Sequence, residues 1–163
     1  MELRNTASRY GAVAQSLHWI VAILVLAAFW LGPGGNETRV YSAARDSSRS
    51  WHETLGLCVL ALALVRLLWR GYDRAPEEVP VPAWMSRAAK AGHALLYVML
   101  FLVPCTAITG AWLEGHPLTL PGGVRVGPWI AESHALGAQV AWLHTWLGDA
   151  IVWLAGFHAA AGL

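Results

Sequence analysis

Charge is scarce in this chain: Asp, Glu, Lys and Arg together make up 13% of its 163 residues, and the formal net charge is only +1. The basic residues are scattered at the ends of apolar segments and form no patch, which excludes nucleic-acid binding as a reading. Cysteine is nearly absent too. Cys58 and Cys105 both lie in apolar segments, so neither zinc-type cysteine pairing nor a Cys-x-x-Cys-His attachment site for covalent haem is present. There is no internal repeat and no low-complexity tract. Two arginines precede the first apolar run, as in a signal peptide, yet Ala12 to Leu31 is too long for one and is interrupted by His18. That run is expected to be a retained first helix. What fills the chain instead is apolar: 56% hydrophobic residues and a mean hydropathy of +0.46 imply an integral membrane protein.

Four runs reach the length of ~20 residues that a bilayer helix needs. They are about Val13 to Leu31, Trp51 to Trp69, Ala88 to Leu113 and Ala138 to Leu163. The expected fold is all-α, an integral membrane four-helix bundle forming one transmembrane domain over residues 1–163. The connection Gly32 to Ser50 opens with Gly32-Pro33-Gly34-Gly35-Asn36 and carries Arg39, Arg45 and Arg49. Gly71 to Arg87 holds Pro76, Pro80 and Pro82, and Glu114 to Gly137 holds Pro117, Pro121, Gly122, Gly123 and Pro128. These are helix-stop and surface signals, and the long third connection is expected to pack over the bundle. Arg4, Arg9, Arg66, Arg70, Arg74, Arg87 and Lys90 fall on the side of the termini, against Arg39, Arg45, Arg49 and Arg125 on the other. An excess of cytoplasmic cations then puts both termini in the cytoplasm. Trp30, Trp51, Trp69, Trp112 and Trp142 fall at expected helix ends, where amphipathic rings prefer the interface.

Against this apolar ground the histidines stand out. His144 and His158 are fourteen residues apart in one expected span. At roughly 100° and 1.5 Å per residue, both imidazoles leave the helix within about 40° of the same direction and about 21 Å apart along its axis. An intramembrane histidine is costly and functional by default, and two on one stripe suggest two cofactors in two layers. His52 and His144 fall near the outer surface, and His18, His93 and His158 near the cytoplasmic one. A haem with both axial positions filled needs two facing imidazoles, so the assignment is His52 with His144 for the outer haem and His18 with His158 for the inner. Without the covalent motif these are two b haems. Gly56 and Gly148 each follow a histidine of the outer pair by one turn, and a missing β-carbon lets a helix approach a flat macrocycle; Gly156 beside His158 could serve likewise. Zinc binding or a proton relay are the rival uses of such residues. His93 stays open, as a ligand in place of His18, as a supporting group or as a quinone contact. His116 and His134 read as surface residues.

The text around these histidines resembles the bacterial cytochrome b561 family, related to the cytochrome b subunits of nickel–iron hydrogenases and formate dehydrogenases. The resemblance runs through Arg9-Tyr10, Ser16-Leu17-His18-Trp19, Trp51-His52-Glu53-Thr54-Leu55-Gly56 and Val65-Arg66-Leu67-Leu68-Trp69-Arg70. It continues through Gly92-His93-Ala94-Leu95-Leu96-Tyr97, Pro104, Gly110, His144 and His158-Ala159-Ala160-Ala161. It implies a four-helix bundle of the bacterial inner membrane, two b haems and electron exchange with ubiquinone; one type in the family passes the electron of superoxide to quinone. Members of the family usually continue beyond the position of Leu163 with a histidine- and lysine-containing tail.

Filled axial positions favour outer-sphere electron transfer over oxygen binding. Arg39, Arg45 and Arg49 could draw an anion such as superoxide to the outer haem, or simply keep the connection soluble. Arg66, Arg70 and Arg87 could pair with haem propionates, or reflect topology alone. Two functions follow: a self-sufficient oxidoreductase, monomeric or homodimeric, between a small donor and ubiquinone, or a membrane anchor relaying electrons from a dehydrogenase or hydrogenase partner.

Overall fold

The computed structural model describes residues 2–35, 37–77 and 80–162. Asn36 of the first connection and Leu163 at the end of the fourth expected span lie outside them. Four long helices dominate: α1 (Ala12–Leu31), α3 (Asp46–Tyr72), α4 (Ala83–Leu113) and α5 (His134–Ala161), with one turn of helix α2 (Glu37–Val40) in the first connection. All four are long and apolar enough to cross a membrane.

The breakers act where the chemistry requires. Gly32 and Pro33 end α1, the Gly32 N–H turning back to the Phe29 carbonyl, because proline offers no amide to continue the ladder. Pro82 caps α4, whose own Pro104 is buried inside the helix. The described spans outrun the apolar runs at their polar ends. α3 starts at Asp46, five residues before Trp51, with the Asp46 carboxylate in its first turn at the positive end of the helix dipole. Arg49 is therefore a helical residue, and its placement in the loop is corrected. α4 likewise takes in Trp84 to Arg87, and α5 begins at His134.

The third connection does cover one end of the bundle. Its strands β1 (Leu118–Thr119) and β2 (Arg125–Val126) pair antiparallel, Leu118 opposite Val126 and Thr119 opposite Arg125. Gly122 and Gly123 turn between them with φ of 85° and 82°, a region that L-side chains avoid. The Trp112 indole N–H donates to the Val126 carbonyl at 3.1 Å, and the Thr119 amide donates to the Glu53 carboxylate. At the opposite end the N-terminal residues close on α3: buried Asp73 accepts the Asn5 amide at 2.9 Å and the Arg4 Nε–H at 3.4 Å.

The bundle is two close antiparallel pairs, α1 with α3 and α4 with α5. Gly110 on α4 lets the second pair approach, since a β-carbon there would lie 3.2 Å from the Ala141 amide nitrogen of α5. A small centre of Val21, Val59, Ala63, Leu100 and Ile151 draws on all four helices. The outside is where the large apolar groups are: Trp30 is 87% exposed, Trp153 71% and Phe157 69%. Such a surface is stable only against lipid, and the protein is a multi-pass membrane protein.

Candidate functional site

The space between the two helix pairs holds the histidines. His52 comes from α3 and His144 from α5, their ring centroids 5.9 Å apart and the planes at 78°. Each ring is fixed through Nδ1 by a backbone carbonyl of the neighbouring helix, Ala28 at 2.7 Å for His52 and Val103 at 3.0 Å for His144. The first acceptor exists because α1 stops at Leu31: the carbonyls of a helix's last turn have no partner within it. A carbonyl can only accept, so each Nδ1 carries the proton and each Nε2 keeps a lone pair for a metal. Gly56 and Gly148 flank the pair, and a β-carbon at either would meet nothing within 4 Å. Both line a cavity of about 420 Å³ that His52 and His144 share with residues of all four long helices.

Toward the other end His158 of α5 has two neighbours. His18 of α1 lies 6.1 Å away between ring centroids, at 76°, and His93 of α4 lies 5.2 Å away, at 71°. The His18 Nδ1 is buried with no hydrogen-bond partner among the described residues, a cost the fold carries unless something outside the chain meets it. Arg66 and Arg70, one turn apart on α3, both lie over the Tyr97 ring, at 5.5 and 5.8 Å. Gly156 also borders open space.

A metal shared by two imidazoles sets a separation. With metal–nitrogen bonds of about 2 Å and about 1.1 Å from each Nε2 to its ring centre, the centroids stand about 6.2 Å apart. His52 with His144 at 5.9 Å and His18 with His158 at 6.1 Å fit that figure, and His93 with His158 at 5.2 Å is too close. No group of three or more His, Cys, Asp or Glu among the described residues is arranged to hold a bare metal ion. Paired imidazoles with glycine-lined space beside them suit a metal that brings its own equatorial ligands, as haem does.

The sequence did not signal a second cluster, at the cavity's mouth near His52. Glu37, Tyr41, Arg49, Glu53 and Glu114 line the same cavity. Arg49, only 8% exposed, donates from Nη2 to Asp46 at 2.8 Å and from Nη1 to Glu53 at 3.0 Å, leaving its buried Nε–H without an acceptor among the described residues. Its guanidinium lies 5.0 Å above the Tyr41 ring. His116 stacks on the same Tyr41 at 3.5 Å between centroids and meets Glu37 at 2.9 Å, so it is a structural member of this cluster. Burial, and then the negative charge of Glu53 and Glu114, pushes the Tyr41 phenol far above its ordinary pKa. Burial, and then Glu37, pushes Glu114 up. A buried, doubly paired Arg49 is not a free cation, and it leaves the set of three arginines expected to draw in an anion. Asp149, one residue past Gly148, is a further carboxylate on the cavity wall that the sequence reading passed over.

A family model described as prokaryotic cytochrome b561 matches residues 9–163. "Cytochrome b561 homolog 2" of Escherichia coli (strain K12) is 29% identical over 100% of this chain and 87% of its own length. "Cytochrome b561 homolog 1" of the same organism is 26% identical over 96% and 89%. "Probable superoxide oxidase CybB" of Yersinia pestis is 24% identical over 95% and 87%.

Proposed function

This chain belongs to the prokaryotic cytochrome b561 family, membrane cytochromes b of electron transfer that bind haem b, and on that premise we propose that it holds two b haems and passes electrons between a small donor and ubiquinone. The observation that carries this reading is the pair of imidazole couples, 5.9 and 6.1 Å between ring centres, each spanning the two helix pairs.

His52 and His144 would hold one haem and His18 and His158 the other, with Gly56 and Gly148 giving the first its room. When bound, haem would supply a one-electron couple, and two imidazoles given to each iron would suit electron transfer over oxygen binding. The chain's part is to keep the ligands in place. The Ala28 and Val103 carbonyls hold the rings of His52 and His144 in one tautomer and raise the basicity of Nε2. Arg66 and Arg70 stand over Tyr97 as partners for propionates at the His18 end. His93, too close to His158 to share a metal with it, supports that end as a neighbour. Superoxide is the small donor this reading carries, supported by the name of the Yersinia relative, and the lysine and arginine asymmetry supports termini in the cytoplasm of a bacterial inner membrane.

Pyridine haemochrome titration of the purified protein tests the reading. About two b haems per chain, both low-spin, are expected, with reduction by superoxide and reoxidation by a short-chain ubiquinone. One haem per chain, or high-spin ferric iron, overturns the two-layer assignment.

A further inference from the structure

The outer face of α5 carries polar groups at a depth where lipid cannot meet them. Trp142, Trp146, Asp149, Trp153 and Phe157 leave this helix within about 80° of one another, and Asp149 lies about 140° round from His144 and opposite His158. The four rings are between 60% and 71% exposed, and Asp149 is exposed too. The rings pair off, Trp142 with Trp146 at 5.8 Å and Trp153 with Phe157 at 6.4 Å between centroids, and Asp149 stands between the two pairs. It falls at the middle of a 28-residue helix, with Trp146 about 4.5 Å to one side along the axis and Trp153 about 6 Å to the other. Interfacial anchoring accounts for a tryptophan at the end of a span and not for these two. No hydrogen bond among the described residues involves the Asp149 carboxyl or either indole N–H. Hydrocarbon offers none, and a polar group left so is costly. Asp149 also lines the cavity, so its carboxyl stands at the lip between that wall and the outer face.

We propose that this face is the interface of a homodimer, each Asp149 accepting from the Trp146 or Trp153 indole N–H of a second copy. A two-fold axis along the bilayer normal preserves depth and brings the carboxyl of one copy level with the indoles of the other. The face holds both the acceptor and the donors, so its complement is itself; any other helix would have to bring its own donor to that depth. Hydrogen bonds and close packing between helices are what hold membrane helices together. Aromatic side chains of roughly 150–250 Å² each, exposed to this degree, offer on the order of 500 Å² per chain, and the resulting total of about 1,000 Å² reaches the floor for specific association.

Sedimentation equilibrium of the haem-loaded protein in density-matched detergent tests this, and a reversible dimer is expected. Asp149→Leu suits lipid better than the native residue but removes two symmetry-related hydrogen bonds; it should raise the dimer Kd about tenfold at unchanged haem content. Trp146→Phe with Trp153→Phe keeps the rings and removes the donors. That pair should weaken the dimer as much, and adding it to Asp149→Leu should weaken it no further, since the bonds are already gone. The tryptophan variants serve alone if Asp149→Leu does not assemble. A monomer at every concentration overturns the proposal, as does an unchanged Kd in Asp149→Leu. Loss of one haem in Asp149→Leu with the dimer intact would give the carboxyl to the cavity and overturn it as well.

Discussion

Filling the space beside Gly148 should strengthen the polypeptide and weaken its hold on a haem. A β-carbon built at Gly148 meets nothing within 4 Å, so Gly148→Ala creates no clash in the chain itself. Alanine is favoured over glycine inside a helix by about 1 kcal/mol, which in a protein of this size raises Tm by about 2–4 °C. A macrocycle lying against that face, however, already sits at carbon contact distance, about 3.5–4 Å, and a new methyl group competes for the same volume. Gly148→Ala should therefore lower occupancy of the His52/His144 site, and Gly148→Leu should take the chain from about two haems to about one. Pyridine haemochrome gives the count and reduced-minus-oxidised spectra show which haem remains. Circular dichroism melts of haem-stripped protein give the stability. Gly110→Ala is the contrast. Its β-carbon would lie 3.2 Å from the Ala141 nitrogen, so it should cost about 1–3 kcal/mol as overpacking and reduce both haems together. Two intact haems in Gly148→Leu would show that the open space beside the glycine is not where a haem lies.

Ligand replacement should sort the histidines by layer: His52→Ala and His144→Ala remove the same haem, His18→Ala and His158→Ala the other. His93→Ala should leave both six-coordinate spectra, and loss of the inner one there with His18→Ala harmless would reverse that pairing. Apart from the internal Arg49, the arginines of the first connection are Arg39 and Arg45. Arg39→Gln with Arg45→Gln should slow haem reduction by superoxide at low ionic strength, and the difference should fade near physiological salt, where screening acts over about 8 Å; an unchanged low-salt rate excludes steering by this connection. Glu114 binds its proton more tightly in the fold than in the unfolded chain because burial disfavours its charge. Its contribution to stability is thus full below the ordinary carboxyl pKa of about 4.3 and is lost as pH rises through the elevated folded value. Glu114→Gln should flatten that decline in detergent melts as pH rises above the ordinary carboxyl range, and an unaltered slope would refute it.

The spans were legible because nothing but a bilayer rewards runs such as Ala138 to Leu154, and the histidine stripe because a polar ring in such a run has to answer for itself. Helix geometry alone put His144 and His158 on one face; that His18 and His52 come opposite them depends on how α1 and α3 pack against α5, which spacing cannot give. The cluster at the mouth was hidden for a plainer reason. Its members come from the first connection with α2, the start of α3 and the third connection, three places that only the fold brings together. Arg49 was misread since Asp46-Ser47-Ser48-Arg49-Ser50 looks like loop by polarity, whereas an aspartate in a first helical turn is the cue that the helix has begun. Asp73 likewise looks like a loop carboxylate and proves to be 4% exposed, because the N-terminal residues fold back onto it.

One consequence of the histidine stripe on α5 concerns the order of events during synthesis. A chain leaves the ribosome from its N-terminus at about 5–20 residues per second, so α1, α3 and α4 are made while α5 is still absent. His18 and His52 come early, yet each faces a ring on α5, at 6.1 and 5.9 Å between centroids. Neither couple can close around a cofactor until the last of these four helices has entered the membrane. On the proposed ligand pairs, completion of both cofactor sites would be timed to the end of insertion, and a chain that stalls before His144 would offer only one imidazole of each pair.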